Sequence, residues 1–305
     1  MLKLNIRLYE KERLALLRDV SKWERVGYGR KSTLEKEELI SPEGIHYLIK
    51  YPRQFKEGIS WEDITELIAA EIGAIFGLEM MDVEIVTRNG RRGCLLRNFV
   101  KEYDAKMAEE GGVLLLALVD DYTTLQESSL KDMELIDAGF KIMRKFAYWK
   151  AIKSEFIDMQ LFDILIGNQD RHPFNWQLLF LETGAKFSPI YDNGASLGFR
   201  FDDEKLMQMV SNPQEMNKYT EKTKVKAGIF EKKKVKAKDL LTYISKNFAY
   251  EFHQSIQKLI EFDLIRYSDF IQSLGILSEA QKNWLLSIVP FRRKKILEWV
   301  EEGDR

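Results

Sequence analysis

Apolar residues in the first hundred positions recur with two different periods. Between Trp61 and Phe76, the residues Ile64, Leu67, Ile68, Ile72 and Ile75 return near every 3.6 positions, the mark of an amphipathic helix, and Gly77 ends it. On either side, short runs at His46 to Tyr51, Met80 to Thr87 and Gly93 to Val100 predict strands. The last two are joined by Arg88-Asn89-Gly90-Arg91, whose Asn-Gly pair is a hairpin signal. From about Leu114 the pattern turns helical: Met133 to Gly167 reads as one or two long helices and Phe248 to Val300 as several more. A compact β element interrupts them, with strands at Trp176 to Leu181 and Lys186 to Tyr191 turned by Glu182-Thr183-Gly184-Ala185. The chain has no internal repeat and no low-complexity linker.

The expected class is therefore α+β, in two lobes. A small mixed β-sheet lobe with one helix covers residues 1–100, and a mainly helical lobe covers residues 101–305. At 305 residues, 45% hydrophobic and 31% charged, the chain is long enough to bury a sizeable core. Lys and Arg (47) nearly balance Asp and Glu (48), and the formal charge of −1 gives no global electrostatic drive toward nucleic acid or membranes. A charged partner would have to meet a local patch or arrive through another protein. The single cysteine, Cys94, follows Gly93 and precedes two leucines; it cannot close an intramolecular disulfide and is expected as a buried thiol in a reducing cytosol. Charges break the apolar residues of Met1-Leu2-Lys3-Leu4-Asn5-Ile6-Arg7, so no secretory signal is expected. The longest apolar run, Val113 to Val119, is far short of the roughly 20 residues of a membrane-spanning helix. The expectation is a cytoplasmic protein without membrane insertion.

Candidate chemistry concentrates at the two ends of the interrupting hairpin. Leu165-Ile166-Gly167-Asn168-Gln169-Asp170-Arg171-His172-Pro173-Phe174-Asn175-Trp176 follows a helix and precedes a strand, where polar residues are unexpected unless something uses them. Asp170 and Asn175 stand five apart, the Asp-x-x-x-x-Asn spacing of a kinase catalytic loop, in which the carboxylate deprotonates an acceptor hydroxyl and the amide oxygen ligates Mg²⁺. Seventeen residues on, Tyr191-Asp192-Asn193-Gly194 ends a strand with an acid two positions before a glycine, like a metal-binding Asp-Phe-Gly motif. The hairpin returns Asp192 beside Asn175. A transferring phosphoryl group needs hard oxygen ligands around Mg²⁺ and a carboxylate that orients the acceptor, and these residue types supply both. Singly, each is also an ordinary turn residue.

Gly167 to Asn175, with Tyr191-Asp192-Asn193-Gly194-Ala195-Ser196, resembles the HipA-like serine/threonine kinases, in particular the short CtkA-type members. The Gly-Asn-x-Asp-Arg-His-x-x-Asn string is also similar to the catalytic loop of phosphatidylinositol 3- and 4-kinases. The resemblance extends from about Gly44 to Ser196 and weakens beyond. It implies a two-lobed kinase fold using ATP and Mg²⁺, with Asp170 as catalytic base, Asn175 and Asp192 as metal ligands and His172 as a structural brace. It further implies a protein substrate phosphorylated on Ser or Thr and an antitoxin-like partner. A lipid or small-molecule kinase and an inactive kinase-like binding module are the rivals.

The resemblance also calls for a strand lysine and a helix glutamate. Lys50, in Ile49-Lys50-Tyr51-Pro52, is the candidate lysine, although a snorkelling surface lysine would look the same. Glu66 is taken as its partner; Glu71, rotated about 140° around the helix, competes, and only one can face the lysine. Val26-Gly27-Tyr28-Gly29-Arg30-Lys31-Ser32-Thr33 is the candidate phosphate loop, with backbone amides from Gly27 and Gly29 to Ser32 as the cradle; it lacks a Walker pattern and a plain turn fits equally. Asn98 and Val100 fall where a hinge would meet adenine. The lysine run Lys222, Lys224, Lys226, Lys232, Lys233, Lys234, Lys236 and Lys238 is read as a solvated surface, with attraction of an acidic substrate or RNA as the alternative. Ser278-Glu279-Ala280-Gln281 is a capping box leading Trp284, Leu285, Ile288 and Trp299 into the core.

Overall fold

Alternating burial on short strands and a helix laid across them produce the N-terminal half, as the two periods require. The computed structural model describes residues 17–28, 34–55 and 58–303. Its first sheet contains β1 (Arg18–Asp19), β2 (Glu24–Tyr28), β3 (Lys36–Ile40) and β4 (His46–Lys50). A separate small hairpin of β5 (Gln54–Phe55) and β6 (Gly58–Ile59) follows, and the sheet is completed by β7 (Val83–Arg88) and β8 (Arg91–Arg97). The strand order is β1-β7-β8-β4-β3-β2, antiparallel throughout except for β1 on β7. Asn89 and Gly90 both take positive φ, 51° and 73°, which matches a two-residue hairpin turn to the twist of β7 and β8.

Helix α1 (Glu62–Ile75) ends before Gly77, whose φ of +82° a side chain would strain. Its Ile64, Ile68 and Ile72 are fully buried and join the main core, while Leu67 packs with Ile85, Cys94 and Leu96 of the sheet. Cys94 is the buried thiol expected. The third strand is shorter than its apolar run suggested: β8 stops at Arg97, and Asn98 caps a short helix, α2 (Phe99–Glu102), by accepting a hydrogen bond from Val100 N. Val100 is therefore helical.

The chain enters the second half through β9 (Met107–Glu110), which joins the β10 (Gln177–Leu181) and β11 (Gly184–Phe187) hairpin in the order β11-β10-β9. Around it lie α3 (Gly111–Leu118), α4 (Tyr122–Glu127), α5 (Asp132–Lys145), α6 (Trp149–Ile166), α7 (Asp203–Ser211) and α8 (Pro213–Glu221). They are followed by α9 (Ala237–Asn247), α10 (Ala249–Ile260), α11 (Leu264–Ser273) and α12 (Glu279–Gly303). Helix α6 is buried on nearly all sides from Phe156 to Ile166. The capping box at Ser278 and Gln281 forms, each side chain bonding the other's backbone N–H, and Trp284, Leu285, Ile288 and Trp299 lie buried on the single long α12.

The lysine run Lys222 to Lys238 is exposed at most of its lysines, as read, but the segment between them is anchored. After α8, β12 (Lys224–Val225) pairs with β13 (Val235–Lys236), and Val225, Ile229, Phe230 and Val235 are buried in the main core. A few apolar side chains anchor the segment between its lysines, a contribution that composition averages away. No helix among the described residues is long and apolar enough to cross a membrane.

Candidate active site

The candidate catalytic loop is built where a buried helix stops. Gly167 ends α6 in the left-handed region at φ +67°, and the Ile164 carbonyl of that last turn accepts both from Gly167 N at 3.3 Å and from Arg292 Nη1 of α12 at 3.2 Å. Asn168 then fastens the exit: its N–H donates to Asp163 O at 2.8 Å, its amide nitrogen to Asp163 Oδ1 at 3.0 Å, and its amide oxygen accepts from Asp170 N at 3.0 Å. His172 Nδ1 accepts from Phe174 N at 3.2 Å, capping the 3-10 turn that carries Asn175. Asn175 Nδ2 donates to the Asp170 carbonyl at 3.0 Å, which ties the two ends of the five-residue spacing together.

Arg171 is the fastener between this loop and the segment carrying Asp192. Fully buried, it forks onto Asp163 with Nε and Nη2 at 3.0 and 3.1 Å, and its Nη1 donates to the Asn175 carbonyl at 2.8 Å and to the Tyr191 carbonyl. Its Nη2 also donates to the Asn193 side-chain oxygen. One planar guanidinium thus fixes α6, the catalytic loop and the Asp192 segment relative to one another. The residue was visible in the sequence only as part of a motif. The signal that could have found its role is Asp163, an acid set in Leu161-Phe162-Asp163-Ile164-Leu165, which a buried helix tolerates only with a partner.

Asp192 sits at φ +60°, a conformation that costs an aspartate energy and that the surrounding bonds impose. Its Oδ1 accepts from Lys50 Nζ at 2.7 Å. Burial alone would raise the Asp192 pKa, but Lys50, Arg171 and His172 outweigh it and hold the carboxyl down at about 2. For Lys50, burial acts to lower the pKa, and the Asp192 and Glu66 carboxylates raise it above the usual lysine value. The strand lysine and the loop acid are therefore both ionised at neutral pH.

Glu66, 2% exposed, faces the same place from α1. Its carboxylate accepts from Asn193 N at 2.9 and 2.8 Å and from Gly194 N at 2.8 Å. Burial pushes its pKa up, and Lys50 and the two backbone N–H groups pull against that. The ion pair Lys50 makes within 4 Å is thus with Asp192, and Glu66 acts on the lysine through space while gripping the loop beyond it. Glu71 points elsewhere, onto Arg266 at 2.8 Å. Gly194 is required by closeness: a Cβ there would stand 2.7 Å from the Glu62 carbonyl of α1, while Thr65 Oγ1 donates to the Gly194 carbonyl at 2.7 Å.

The nucleotide-side expectations fall differently. Gly27 lies in β2 beside a register shift, with Glu38 so near that a Cβ would be 2.9 Å from its Oε2. Gly29 and Ser32 lie outside the described residues. Asn98 N donates to His46 O at 3.0 Å, Val100 N to Asn98 Oδ1 at 3.0 Å, and the Val100 carbonyl accepts from Ala105 N at 3.1 Å. Asn98 N and Val100 N are thus bonded within the chain, and the Val100 carbonyl keeps one lone pair for a further donor. The structure adds one residue that the sequence reading set aside: Lys226 Nζ lies 2.6 Å from Asp170 Oδ1.

The comparisons with known proteins bear on this geometry. Residues 25–252 match the family model described as the HipA-like C-terminal domain, three quarters of the chain. The chain belongs to that family. Among curated proteins, the serine/threonine-protein kinase CtkA of Helicobacter pylori is 26% identical over 263 residues, which span 83% of this chain and 77% of CtkA. The crystal structure of the H. pylori proinflammatory kinase CtkA superposes with a TM-score of 0.75 at 21% identity, covering 94% of this chain and 98% of that one. A chain from the Shewanella oneidensis toxin–antitoxin system HipA and HipB with operator DNA matches with a TM-score of 0.56 at 13% identity, over 96% of this chain and 71% of its own length. The HipA-like fold is thus a two-lobed, kinase-like one, with the N-terminal sheet and the helical half arranged as in those structures.

Proposed function

We propose that this HipA-like chain is an ATP- and Mg²⁺-dependent kinase that transfers the γ-phosphate to Ser or Thr of a protein, with its two lobes meeting at the Asn98–Glu102 segment. The observation carrying this reading is the Lys50–Asp192 ion pair at 2.7 Å, set beside a catalytic loop that Arg171 bolts to the Asp192 segment. The curated relative's kinase name and the family membership support it.

The donor set suits Mg²⁺. No group of three or more His, Cys, Asp and Glu side chains gathers as a closed metal site among the described residues. What is present is an ionised carboxylate, Asp192, and the Asn175 amide, whose nitrogen is engaged by Asp170 O so that its oxygen is the free donor. Two hard oxygen ligands fit an ion that keeps waters and takes phosphate oxygens for the rest of its shell. An ion held by Asp192 and Asn175 would supply charge neutralisation to the transferring phosphate. Lys50, already ionised beside Asp192, would offer its ammonium to phosphate oxygens, Glu66 would keep the Asn193–Gly194 turn in place, and Asp170 would accept the proton of the acceptor hydroxyl.

Asp192→Asn tests the ligand role. It removes the charge that balances Lys50 and holds the metal, so Mg²⁺-dependent ATP affinity, measured by titration calorimetry, should fall at least about tenfold. Unchanged affinity would remove Asp192 from the site. The HipB antitoxin accompanies HipA in the matched structure; for this chain an antitoxin-like partner is part of the proposal, and a protein that co-purifies with it and inhibits transfer is the supporting result.

A further inference from the structure

The lysines from Lys222 to Lys238 do different things. Lys238 pairs with Glu302 at 2.7 Å, and Lys233 donates to carbonyls of Leu125 and Ser128. Lys226 turns inward, its side chain 13% exposed and its Nζ 2.6 Å from Asp170 Oδ1. The backbone around it is committed to that placement. Val225 is held by pairing with Val235, and Ala227 and Gly228 follow at φ +56° and +64°, left-handed geometry that an alanine adopts only when its surroundings enforce it. The reversal lets Gly228 N donate to the Arg171 carbonyl at 2.7 Å and the Gly228 carbonyl accept from Trp176 Nε1 at 2.8 Å, so the lysine is fixed to the catalytic loop from both sides. Lys234 and Arg200 extend the positive field: burial first, and then repulsion from Lys226, lower the Lys234 pKa, with Asp170 opposing.

A carboxylate that takes a proton from an acceptor hydroxyl must stand about 3 Å from that oxygen. An ammonium 2.6 Å from the same carboxylate is then within reach of the acceptor oxygen and of the phosphoryl group arriving on it. We propose that Lys226 is a positioning residue for phosphoryl transfer: its ammonium aims the Asp170 carboxylate in the resting protein and stands beside the transferred phosphoryl group once the acceptor is bound. This rests on the kinase reading above. In the step concerned, the acceptor oxygen forms a bond to the γ-phosphorus and the bond from that phosphorus to the β,γ-bridging oxygen breaks. ADP leaves with the electron pair, and the acceptor proton passes to Asp170. Lys226 offsets the repulsion between the Asp170 carboxylate and the phosphoryl oxygens as they approach, without touching the adenosine end of ATP.

The test is transfer from γ-labelled ATP with Mg²⁺ to the wild-type chain itself and to the proteins of a host lysate, alongside Lys226→Met and Lys226→Arg, with ATP affinity and thermal unfolding measured on all three. Lys226→Met should lower kcat by about 10²-fold, the scale of losing one charge-stabilising donor, while ATP affinity stays within about twofold. Lys226→Arg, which keeps a cation, should recover at least about a tenth of wild-type kcat. If wild type transfers phosphate but Lys226→Met does so within about threefold of it, Lys226 has no positioning role and the kinase reading stands. The same holds if both variants lose ATP affinity together with kcat, Lys226→Arg doing no better than Lys226→Met. If wild type transfers no phosphate, both the kinase reading and this inference fall.

Discussion

At the residue scale, the candidate site is governed by a few buried charges whose partners come from distant parts of the chain. Arg171 reaches five oxygen acceptors, and both oxygens of the Asp163 carboxylate bond it. Removing one partner of such a pair leaves an uncompensated charge, a loss of about 3–5 kcal/mol. Arg171→Met should therefore destabilise the chain by that amount in urea denaturation, with loss of phosphoryl transfer even in the fraction that folds. A variant of near wild-type stability would show that the buried Arg171–Asp163 pair is not what holds α6 and the two loops together. His172 supplies a pH dependence. Its Nδ1 accepts a hydrogen bond, so the imidazole is neutral, and its pKa is lowered by burial first, with Lys226 and Arg171 adding and the Asp170 and Asp192 carboxylates opposing. A depressed basic group binds fewer protons folded than unfolded, so stability rises with pH between the two values. The part of the stability that His172 contributes should be complete above the unfolded value of 6.5 and decline as pH falls below it. The advantage of wild type over His172→Gln, followed by thermal unfolding from pH 8 to 5, should shrink over that interval; a constant difference would mean that His172 titrates normally.

At the element scale, helix α1 is the organiser. One face of it joins the main core through Ile64, Ile68 and Ile72, another packs on the sheet through Leu67, and its first turns hold the Asn193–Gly194 backbone through Glu66 and Thr65. The close approach at Gly194 makes that contact brittle. Gly194→Ala forces a Cβ to 2.7 Å from the Glu62 carbonyl, so α1 and the loop must separate, at a cost of about 1–3 kcal/mol. The separation also lengthens the bonds to Glu66, so ATP affinity should fall with stability; stability lost with affinity unchanged would uncouple the helix from the site. The helix period and the Asn-Gly turn were legible in the sequence because each is set by neighbours a few residues apart. The end of β8 was not: only Arg97 and Asn98 separate Cys94-Leu95-Leu96 from Phe99-Val100, and the Asn98 side chain, accepting from Val100 N, turns the strand into a helix there.

At the scale of the whole molecule, what could be read beforehand were the pairings set by local spacing and proposed here as the phosphoryl-transfer residues: Asp170 with Asn175, and Asp192 with Gly194. The choice of Glu66 over Glu71 came from the resemblance, since both lie on one helix; the fold turns Glu71 onto Arg266 and Glu66 onto the Asn193–Gly194 backbone. The lysine run was legible as mostly solvated, but charge dominates its composition while Val225, Ile229, Phe230 and Val235 decide its placement, and with it the contact between Lys226 and Asp170. The account's central claim is that Asp170 acts on an acceptor while Lys50 and Asp192 hold the nucleotide. The most direct test is γ-phosphate transfer by Asp170→Asn, measured together with Mg²⁺–ATP affinity on the same preparation. Transfer should fall by at least about 10²-fold with affinity within about twofold of wild type. Transfer that survives the substitution, or nucleotide affinity that collapses with it, would contradict the division of labour between the two loops.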